Sequence, residues 1–254
     1  MRQWRGQVHV RYAVLSDIHS NLIALRAVLA EAAEAEVDRY LCLGDIVGYG
    51  ARPNQCCDLI REIGALCVRG NHDEAAVNPE KAEWFTAPAR ACILWTRKQL
   101  REDNLHFLRD LPRREIIDDT ITICHGSVPD PDYYTVTPND ATISFRTMTT
   151  PLAFFGHTHY AEWFTDNGDG EAPVEHPLPA GGSLRVSGDR RYLVNPGAVG
   201  QPRDGNELAS FAVYDDEACE IVIHRVAYDI AKAALQMQEA GLPEAMHARL
   251  WMGV

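Results

Sequence analysis

The stretch that decides the fold is Val10–Asp73, VRYAVLSDIHSNLIALRAVLAEAAEAEVDRYLCLGDIVGYGARPNQCCDLIREIGALCVRGNHD. Val10 to Leu15 is an apolar run of strand formers that stops at Ser16-Asp17. Ser20 can then cap a helix in which Leu22, Leu25, Leu29 and Ala32 recur at three- and four-residue spacing, with Glu31, Glu34 and Glu36 on its wet side. Arg39 to Leu43 is a second strand ending at Gly44-Asp45. Asn54 can cap a second helix carrying Leu59, Ile60 and Ile63, and Ala65 to Arg69 is a third strand ending at Gly70-Asn71-His72-Asp73. This βαβαβ order predicts a parallel sheet with right-handed crossovers. Each strand closes on a polar cluster, and α/β folds place their ligands at the carboxyl ends of parallel strands.

Working outward, residues 79–112 turn helical, with Trp84, Phe85, Ile93, Leu94, Leu105, Leu108 and Leu111 as apolar positions, and read as an insertion able to wall a site. In the second half, Glu115–Ile117 and Thr120–Cys124 flank a hairpin turn at Asp118-Asp119. Further short strands follow at Leu152–Phe155, Tyr192–Val194, Ser210–Tyr214 and Glu220–Val226. Asp166–Gly170 and Ala180–Gly188 are rich in turn formers and read as loops. A helix from about Asp229 to Ala240, a Gly241-Leu242-Pro243 break and a short last helix close the chain. No repeat or linker divides it, so residues 1–254 are expected to form a single domain.

The chain has 254 residues, 46% of them apolar, enough for a substantial core and unlike collagen, disordered or coiled-coil compositions. Its charge of -12 argues against nucleic-acid or anionic-membrane binding through a basic surface, while leaving room for phosphate chemistry at a metal. The seven Cys include no C-x-x-C pair and sit mostly in apolar runs, which reads as buried thiols in a reducing compartment. The start MRQWRGQVHV lacks the apolar stretch of a secretory leader, and no run reaches the ~18 apolar residues of a membrane span. A cytoplasmic, soluble protein is expected. Leu235 and Met237 on the late helix read as core or subunit contact, which leaves a homo-oligomer open.

The chemistry lies in five clusters: Asp17-Ile18-His19, Gly44-Asp45, Gly70-Asn71-His72-Asp73, His125-Gly126 and Gly156-His157-Thr158-His159. Asp17 with His19 and His157 with His159 are i,i+2 pairs, which at the end of an extended segment project to one side, so each pair can aim two ligands at one place. Carboxylate, imidazole and amide oxygen make a donor set suited to Mn²⁺, Fe or Zn²⁺, and the absence of Cys excludes a structural zinc ribbon. Seven ligands are too many for one ion; a shared carboxylate is the usual way to hold two. Gly44, Gly70, Gly126 and Gly156 each adjoin a candidate ligand, where a missing Cβ permits a tight turn or close approach and is expected to let a phosphate reach the ions.

These clusters, in this order over Val10–Asp215, resemble the complete motif set of the calcineurin-like metallophosphoesterases, and the later Asn195-Pro196-Gly197-Ala198-Val199-Gly200-Gln201-Pro202-Arg203-Asp204 resembles a loop of their small bacterial phosphodiesterase branch. The resemblance implies an α/β fold, a four-layer α/β/β/α sandwich, around two divalent metal ions, with Mn²⁺ the leading candidate and Fe or Zn²⁺ the alternatives. Asp17, His19 and His159 would hold the first metal, Asn71, His125 and His157 the second, and Asp45 would bridge them. His72 would stay off the metals and face the substrate phosphate with Asp73 orienting it. Arg203 is a candidate substrate contact. Tyr49, at a Gly-flanked loop tip, is a weaker candidate for substrate stacking.

The activity implied is hydrolysis of a small phosphodiester or nucleotide-type substrate by attack of a metal-bridging hydroxide, with ions ~3.5–4 Å apart. An asymmetrical dinucleoside polyphosphate hydrolase and a phosphomonoesterase are the alternatives, and a non-catalytic scaffold on the same fold is the rival class. The Ser/Thr protein phosphatases follow their second motif with Asp-Arg-Gly, whereas the run here is Gly44-Asp45-Ile46-Val47-Gly48-Tyr49-Gly50, which disfavours that branch. The expected partner is a small phosphorylated substrate, with no stable nucleic-acid binding and no membrane. The helical segment 79–112 and the loops at Pro129–Tyr134 and Gly181 are expected to shape the pocket.

Overall fold

In the computed structural model, which describes residues 9–166, 168 and 170–254, β1 (Arg11–Leu15), β2 (Arg39–Cys42) and β3 (Leu66–Cys67) alternate with α1 (Leu22–Glu34) and α2 (Pro53–Glu62). β1 pairs in parallel with β2, and β2 with β3, as the βαβαβ reading requires. Residues 1–8, on which the reading of the N-terminus rests, and Asn167 and Asp169 of the expected 166–170 loop lie outside the described residues. Then come α3 (Asn71–Val77), a 3₁₀ turn (Pro79–Trp84), α4 (Ala87–Gln99) and α5 (Glu102–Asp110).

The second half contributes β4 (Arg114–Ile117), β5 (Ile121–Cys124), α6 (Pro138–Thr147), β6 (Leu152–Phe154), β7 (Ala161–Asp166), β8 (Val174–Pro177), β9 (Gly182–Arg185) and β10 (Arg191–Pro196). β11 (Ala209–Asp215), β12 (Glu220–Val226), α7 (Ile230–Glu239), α8 (Glu244–Ala248) and a 3₁₀ turn (Arg249–Trp251) complete it. Two six-stranded sheets result, β3-β2-β1-β11-β12-β9 and β4-β5-β6-β10-β7-β8. Each contains one parallel trio, β3-β2-β1 and β5-β6-β10, and antiparallel strands elsewhere.

The alternation of side chains along a strand separates the layers. On β1, Ala13 and Leu15 face α1 and α2, in a core with Leu25, Val28, Cys56 and Ile60. Tyr12 and Val14 face the other sheet, meeting Ile123, Phe154 and Val194. The far side of that sheet carries Ala153, Phe155, Phe164 and Leu193, which α6 covers with Ala141 and Phe145. This is the four-layer α/β/β/α sandwich. A further cluster joins Tyr49, Cys92 and Ala89 to Met237, Met246 and Leu250, so that α4, α7 and α8 pack together beside the sandwich.

Several local expectations change. α1 is capped by Asn21, whose side chain accepts from the Ala24 amide, because Ser20 lies at φ +55 inside the preceding turn. Asn54 sits within α2 and spends its side chain on the Gln99 carbonyl and the Arg101 amide. Gly182–Arg185, expected as loop, is an edge strand paired with β12. Met237 is buried and Leu235 exposed, and six cysteines are buried while Cys219 is exposed. No helix among the described residues is long and apolar enough to cross a membrane.

Candidate metal centre

The two parallel trios point their carboxyl ends at a common place, and the candidate ligands hang from those ends. Asp17 and His19 follow β1, Asp45 follows β2, Asn71 opens α3 after β3, His125 follows β5, and His157 and His159 follow β6. The i,i+2 pairs are not extended, however. Asp17, His19, Asp45, His157 and His159 all have φ between +48° and +70°. Non-glycine residues rarely adopt this left-handed region, and when they do the surroundings must hold them there. Here the loops are laced together: the amides of Asp17, His19 and Ser20 donate to the carbonyls of Gly44, Asp45 and Ile46, and the Val199 and Gly200 amides donate to Ser16 and Asp17.

The lacing changes how the pairs aim. Asp17, His19 and His159 form one buried group whose ligand atoms lie within 4.8 Å of one another, and Asp45, His125 and His157 form another. His157 and His159 therefore diverge into separate groups instead of aiming at one place, while Asp17 and His19 share a group. Asp45 Oδ2 stands 3.6 Å from His19 Nε2 and 3.3 Å from His125 Nε2, between the two groups. Asn71 Oδ1 lies 3.0 Å from His125 Nε2. All seven expected ligands thus meet. His72 is also within reach, grouped with His19 and Asp45.

The ring orientations are set by backbone carbonyls. Nδ1 of His19, His125 and His159 approaches the carbonyls of Val47, Leu43 and Gln201, which can only accept. Their Nε2 atoms are thereby turned inward, the usual arrangement for imidazole ligands. His19 Nε2 and His159 Nε2 face each other at 3.1 Å, as do His125 Nε2 and His157 Nδ1. Asp17 Oδ1 is buried without a hydrogen-bond partner.

Electrostatics complete the picture. Burial holds His19 well below the usual histidine range, His72 down to about 4 and His157 down to about 3, so these rings are neutral near pH 7, and those of His19 and His157 have a lone pair to offer. Burial would raise Asp17 and Asp45, but the surrounding imidazoles, His159 for Asp17 and His125 for Asp45, outweigh it and keep both ionised. Burial would likewise lower His125, yet Asp45 and Asp17 push it up to about 10. A nest of convergent nitrogens with two carboxylates calls for positive charge, and divalent cations fit it.

Three expectations need correction. Asp73 does not touch His72. Its carboxylate accepts from the Val47 and Gly70 amides, tying two ligand loops together, while His72 Nδ1 is buried with no partner. Burial and the nearby Asp45 push the Asp73 carboxyl up to about 7. Nor do the glycines open a path for phosphate. A Cβ on Gly70 would strike Asp45, and one on Gly156 would strike Ser16 and lie 2.7 Å from Asp17 Oδ2, so the missing atoms let ligand loops touch each other. Tyr49 is only 7% exposed, its ring packed on His19 (4.5 Å) and His72 (4.4 Å), which leaves no free face for stacking.

Arg203 reaches the centre. Its backbone amide donates to the His159 carbonyl, and its Nη2 donates to the Tyr49 hydroxyl at 3.2 Å and to Gln201 Oε1 at 3.3 Å. Asp204, its sequence neighbour, pairs with Arg225 instead. Residues given no individual role by the sequence complete the surroundings, two of them from the segments expected to shape the pocket. Tyr134 lays its ring on His157 at 3.8 Å, and Phe85, from the helical segment after α3, meets His72 at 4.8 Å. Asn195 donates to the Gly156 carbonyl and Thr158 Oγ1, bracing the His157 loop. Its place in an Asn-Pro-Gly turn was the available signal; for Phe85 the signal was its apolar position in the helical segment expected to wall the site.

The Calcineurin-like phosphoesterase superfamily domain matches residues 10–218, which include every candidate ligand. The chain belongs to that superfamily. It is 38% identical over 245 residues to an uncharacterized protein of Methanocaldococcus jannaschii, a match that covers 95% of this chain and 97% of the relative. The crystal structure of a metallophosphoesterase from Sphaerobacter thermophilus is similar at 41% identity, covering 97% of this chain and all of that one, with a TM-score of 0.86. A hypothetical protein from Pyrococcus horikoshii shares the fold at 21% identity, with a TM-score of 0.79 and coverage of 98% and 99%. Calcineurin-like phosphoesterases use divalent metals, in keeping with the buried donor groups of this chain.

Proposed function

We propose that the chain is a metal-dependent phosphoesterase that hydrolyses a small phosphodiester or nucleotide-type substrate with two divalent cations. The observation that carries this is Asp45 Oδ2, placed between His19 Nε2 and His125 Nε2 and so shared by two buried donor groups. Asp17, His19 and His159 would hold one cation, Asn71, His125 and His157 the other, with Asp45 common to both. Mn²⁺ is the leading candidate because the donors mix hard oxygen with imidazole and include no sulfur. Cations held there supply Lewis-acid polarisation and charge stabilisation for phosphoryl transfer to water.

The remaining work falls to the chain's own groups. Gly48 packs directly on His72, so that a Cβ there would sit 3.0 Å from the ring Cγ, and Nδ1 is closed off. Only Nε2 is left to face substrate; carrying the proton of the neutral ring, it donates to a phosphoryl or leaving-group oxygen. Arg203 supplies a guanidinium to the phosphate from the opposite loop. The run after Asp45 contributes no such cation, since Ile46 and Val47 are fully buried core residues.

The test is hydrolysis of bis(p-nitrophenyl) phosphate by Mn²⁺-loaded protein, with metal analysis of the same sample. Two metals per chain, turnover in the parent and its loss in Asp45→Ala are expected. Metal-loaded protein that is inert toward mono-, di- and polyphosphate esters refutes the reading.

A further inference from the structure

Tyr49 is forced into an unfavourable backbone. Its φ is +46°, in the left-handed region that a bulky residue adopts only under restraint, and strain of this kind gathers where a side chain has to be aimed. The glycines on either side provide the restraint. A Cβ on Gly48 would strike the His72 ring, and one on Gly50 would stand 2.8 Å from the Ser20 carbonyl and nearer still to the His19 carbonyl oxygen. The Gly50 amide donates to the His19 carbonyl at 2.9 Å and the Arg52 amide to that of Ser20 at 3.1 Å, so this loop is clamped onto the turn after β1. Clamping presses the Tyr49 ring against two imidazoles with different duties, the candidate ligand His19 and the candidate proton donor His72.

What that ring presents is a hydroxyl for a cation of another loop. Tyr49 Oη accepts from Arg203 Nη2 at 3.2 Å, and the guanidinium carbon lies 5.7 Å from the ring centroid, within reach of cation–π attraction. Hydrogen bond and ring therefore hold the same group. Elsewhere carboxylates orient the arginines: Glu74 for Arg69, Asp58 for Arg101 and Asp204 for Arg225. Arg203 has no carboxylate partner among the described residues, and its Nη2 also donates to Gln201 Oε1 at 3.3 Å. The difference decides what the cation can do. A carboxylate would orient the guanidinium and neutralise it, whereas a phenol, with an ordinary pKa of about 10, is uncharged near pH 7 and leaves the positive charge available to an anion. Gln201 belongs to the same loop as Arg203, but Tyr49 comes from the loop after β2. It is Tyr49 that ties the guanidinium to the loop of Asp45 and to His72.

We propose that Tyr49 is a positioning residue, whose hydroxyl and ring hold the Arg203 guanidinium beside His72 so that both groups meet one phosphate. This rests on the phosphoesterase reading above and deepens it, by assigning how the phosphate-binding cation is aimed. The loop after Asp45 thereby takes part in phosphate binding through a cation that the loop after β10 carries.

The test is a double-mutant cycle in Mn²⁺-loaded protein, with Tyr49→Phe and Arg203→Ala made singly and together and metal content recorded for each. KM for bis(p-nitrophenyl) phosphate and the inhibition constant of orthophosphate are read. Tyr49→Phe keeps the ring against His19 and His72 and removes only the hydroxyl. In the parent it is expected to raise both constants fivefold or more. In the Arg203→Ala background it is expected to change them less than twofold, because the group that Tyr49 holds is gone. A smaller effect in the parent overturns the assignment. An equal loss in both backgrounds overturns it too, since the hydroxyl would then act without Arg203, and so does an Arg203→Ala protein that binds orthophosphate as the parent does. If the parent hydrolyses no phosphoester, the phosphoesterase reading fails separately. Calorimetric titration of the same four metal-loaded proteins with orthophosphate then decides the role of Tyr49, and a parent that binds none counts against it.

Discussion

Replacing Gly70 with alanine separates close approach from backbone freedom as the reason for glycine beside the ligands. Gly70 has φ -88 and ψ 175, extended backbone open to any residue, so Gly70→Ala introduces no backbone strain. Its new Cβ would stand 2.7 Å from Asp45 Cγ, and nearer still to the Asp45 carboxylate oxygen and amide. Carbon atoms rest ~3.5–4.0 Å apart, so the carboxylate has to shift by about 1 Å. Its backbone cannot follow freely, because the Asp45 carbonyl accepts from the His19 amide at 2.9 Å. A shift of the side chain also stretches the bond that Asp45 Oδ1 accepts from the His72 amide at 2.8 Å. Overpacking of this kind costs about 1–3 kcal/mol. For a chain of this size that is a fall in Tm of roughly 2–12 °C, with the fold retained. Displacing a shared ligand by about 1 Å is expected to lower turnover about 10²-fold. The control is Gly188→Ala, where a Cβ meets nothing within 4 Å and stability should stay within about 0.5 kcal/mol. Thermal melts, metal content and diester turnover read the result. A Gly70→Ala protein with two metals and turnover within threefold of the parent refutes the reasoning.

Asn195→Ala leaves the buried Gly197 amide without a partner, while the Gly156 carbonyl keeps the Thr158 amide and Thr158 Oγ1 keeps the Tyr160 amide, so a loss of about 1–3 kcal/mol is expected in urea denaturation; a loss under about 0.5 kcal/mol shows that Asn195 does not brace the loop. Asp73→Asn keeps one acceptor oxygen for two amides, so about 1–3 kcal/mol of stability is lost while the shape of the pH–rate profile is kept; a displaced profile at unchanged stability would restore a direct link to His72. Burial, Glu175 and Asp204 push the Glu162 carboxyl up to about 8 from its ordinary 4.5. The folded state therefore holds that proton more tightly, and its contribution is complete below about pH 4.5 and lost as pH rises through about 8. Glu162→Gln should flatten this decline, worth a few kcal/mol at ~1.4 per unit, and urea titrations with equal slopes in both proteins count against it.

What was legible in the chain was whatever local chemistry determines. The strand runs ending at Asp17, Asp45 and Asn71 identify both the sheet and the donors, because a buried parallel strand is apolar until it reaches its carboxyl end. The hairpin turn at Asp118-Asp119 was equally plain, and both residues take the left-handed conformation that such turns require. What stayed hidden depends on distant partners. β9 exists because β12 offers it an edge, not because Gly182-Ser183-Leu184-Arg185 favours a strand. α6 has a capping box at Thr137 and Asp140, but it buries little beyond Ala141, Ser144 and Phe145, too sparse a stripe to announce a helix. Tyr134 and Phe85 meet the candidate site only through tertiary packing.

The donor positions belong to this second kind, although the donor identities belong to the first. Five ligand candidates sit in left-handed backbone, a conformation that costs an L-residue about 1–2 kcal/mol and that no i,i+2 spacing reveals. Three of them are held by a bond from another loop: Asp17 by the Gly44 carbonyl, His19 by that of Asp45, and the His157 amide by the Asp17 carboxylate. These bonds cross between segments that follow different strands: the first two join the loops after β1 and β2 of one sheet, and the third joins the two sheets. The same feature explains why Asn21 and Asn195 matter despite carrying no chemistry of their own. Asn21 caps α1 and donates to the Gly200 carbonyl, while Asn195 spans from β10 to the His157 loop. An isolated half of the chain would keep every donor of its own motifs and still have no centre, because Asp17, His19, Asp45 and Asn71 follow strands of one sheet while His125, His157 and His159 follow strands of the other.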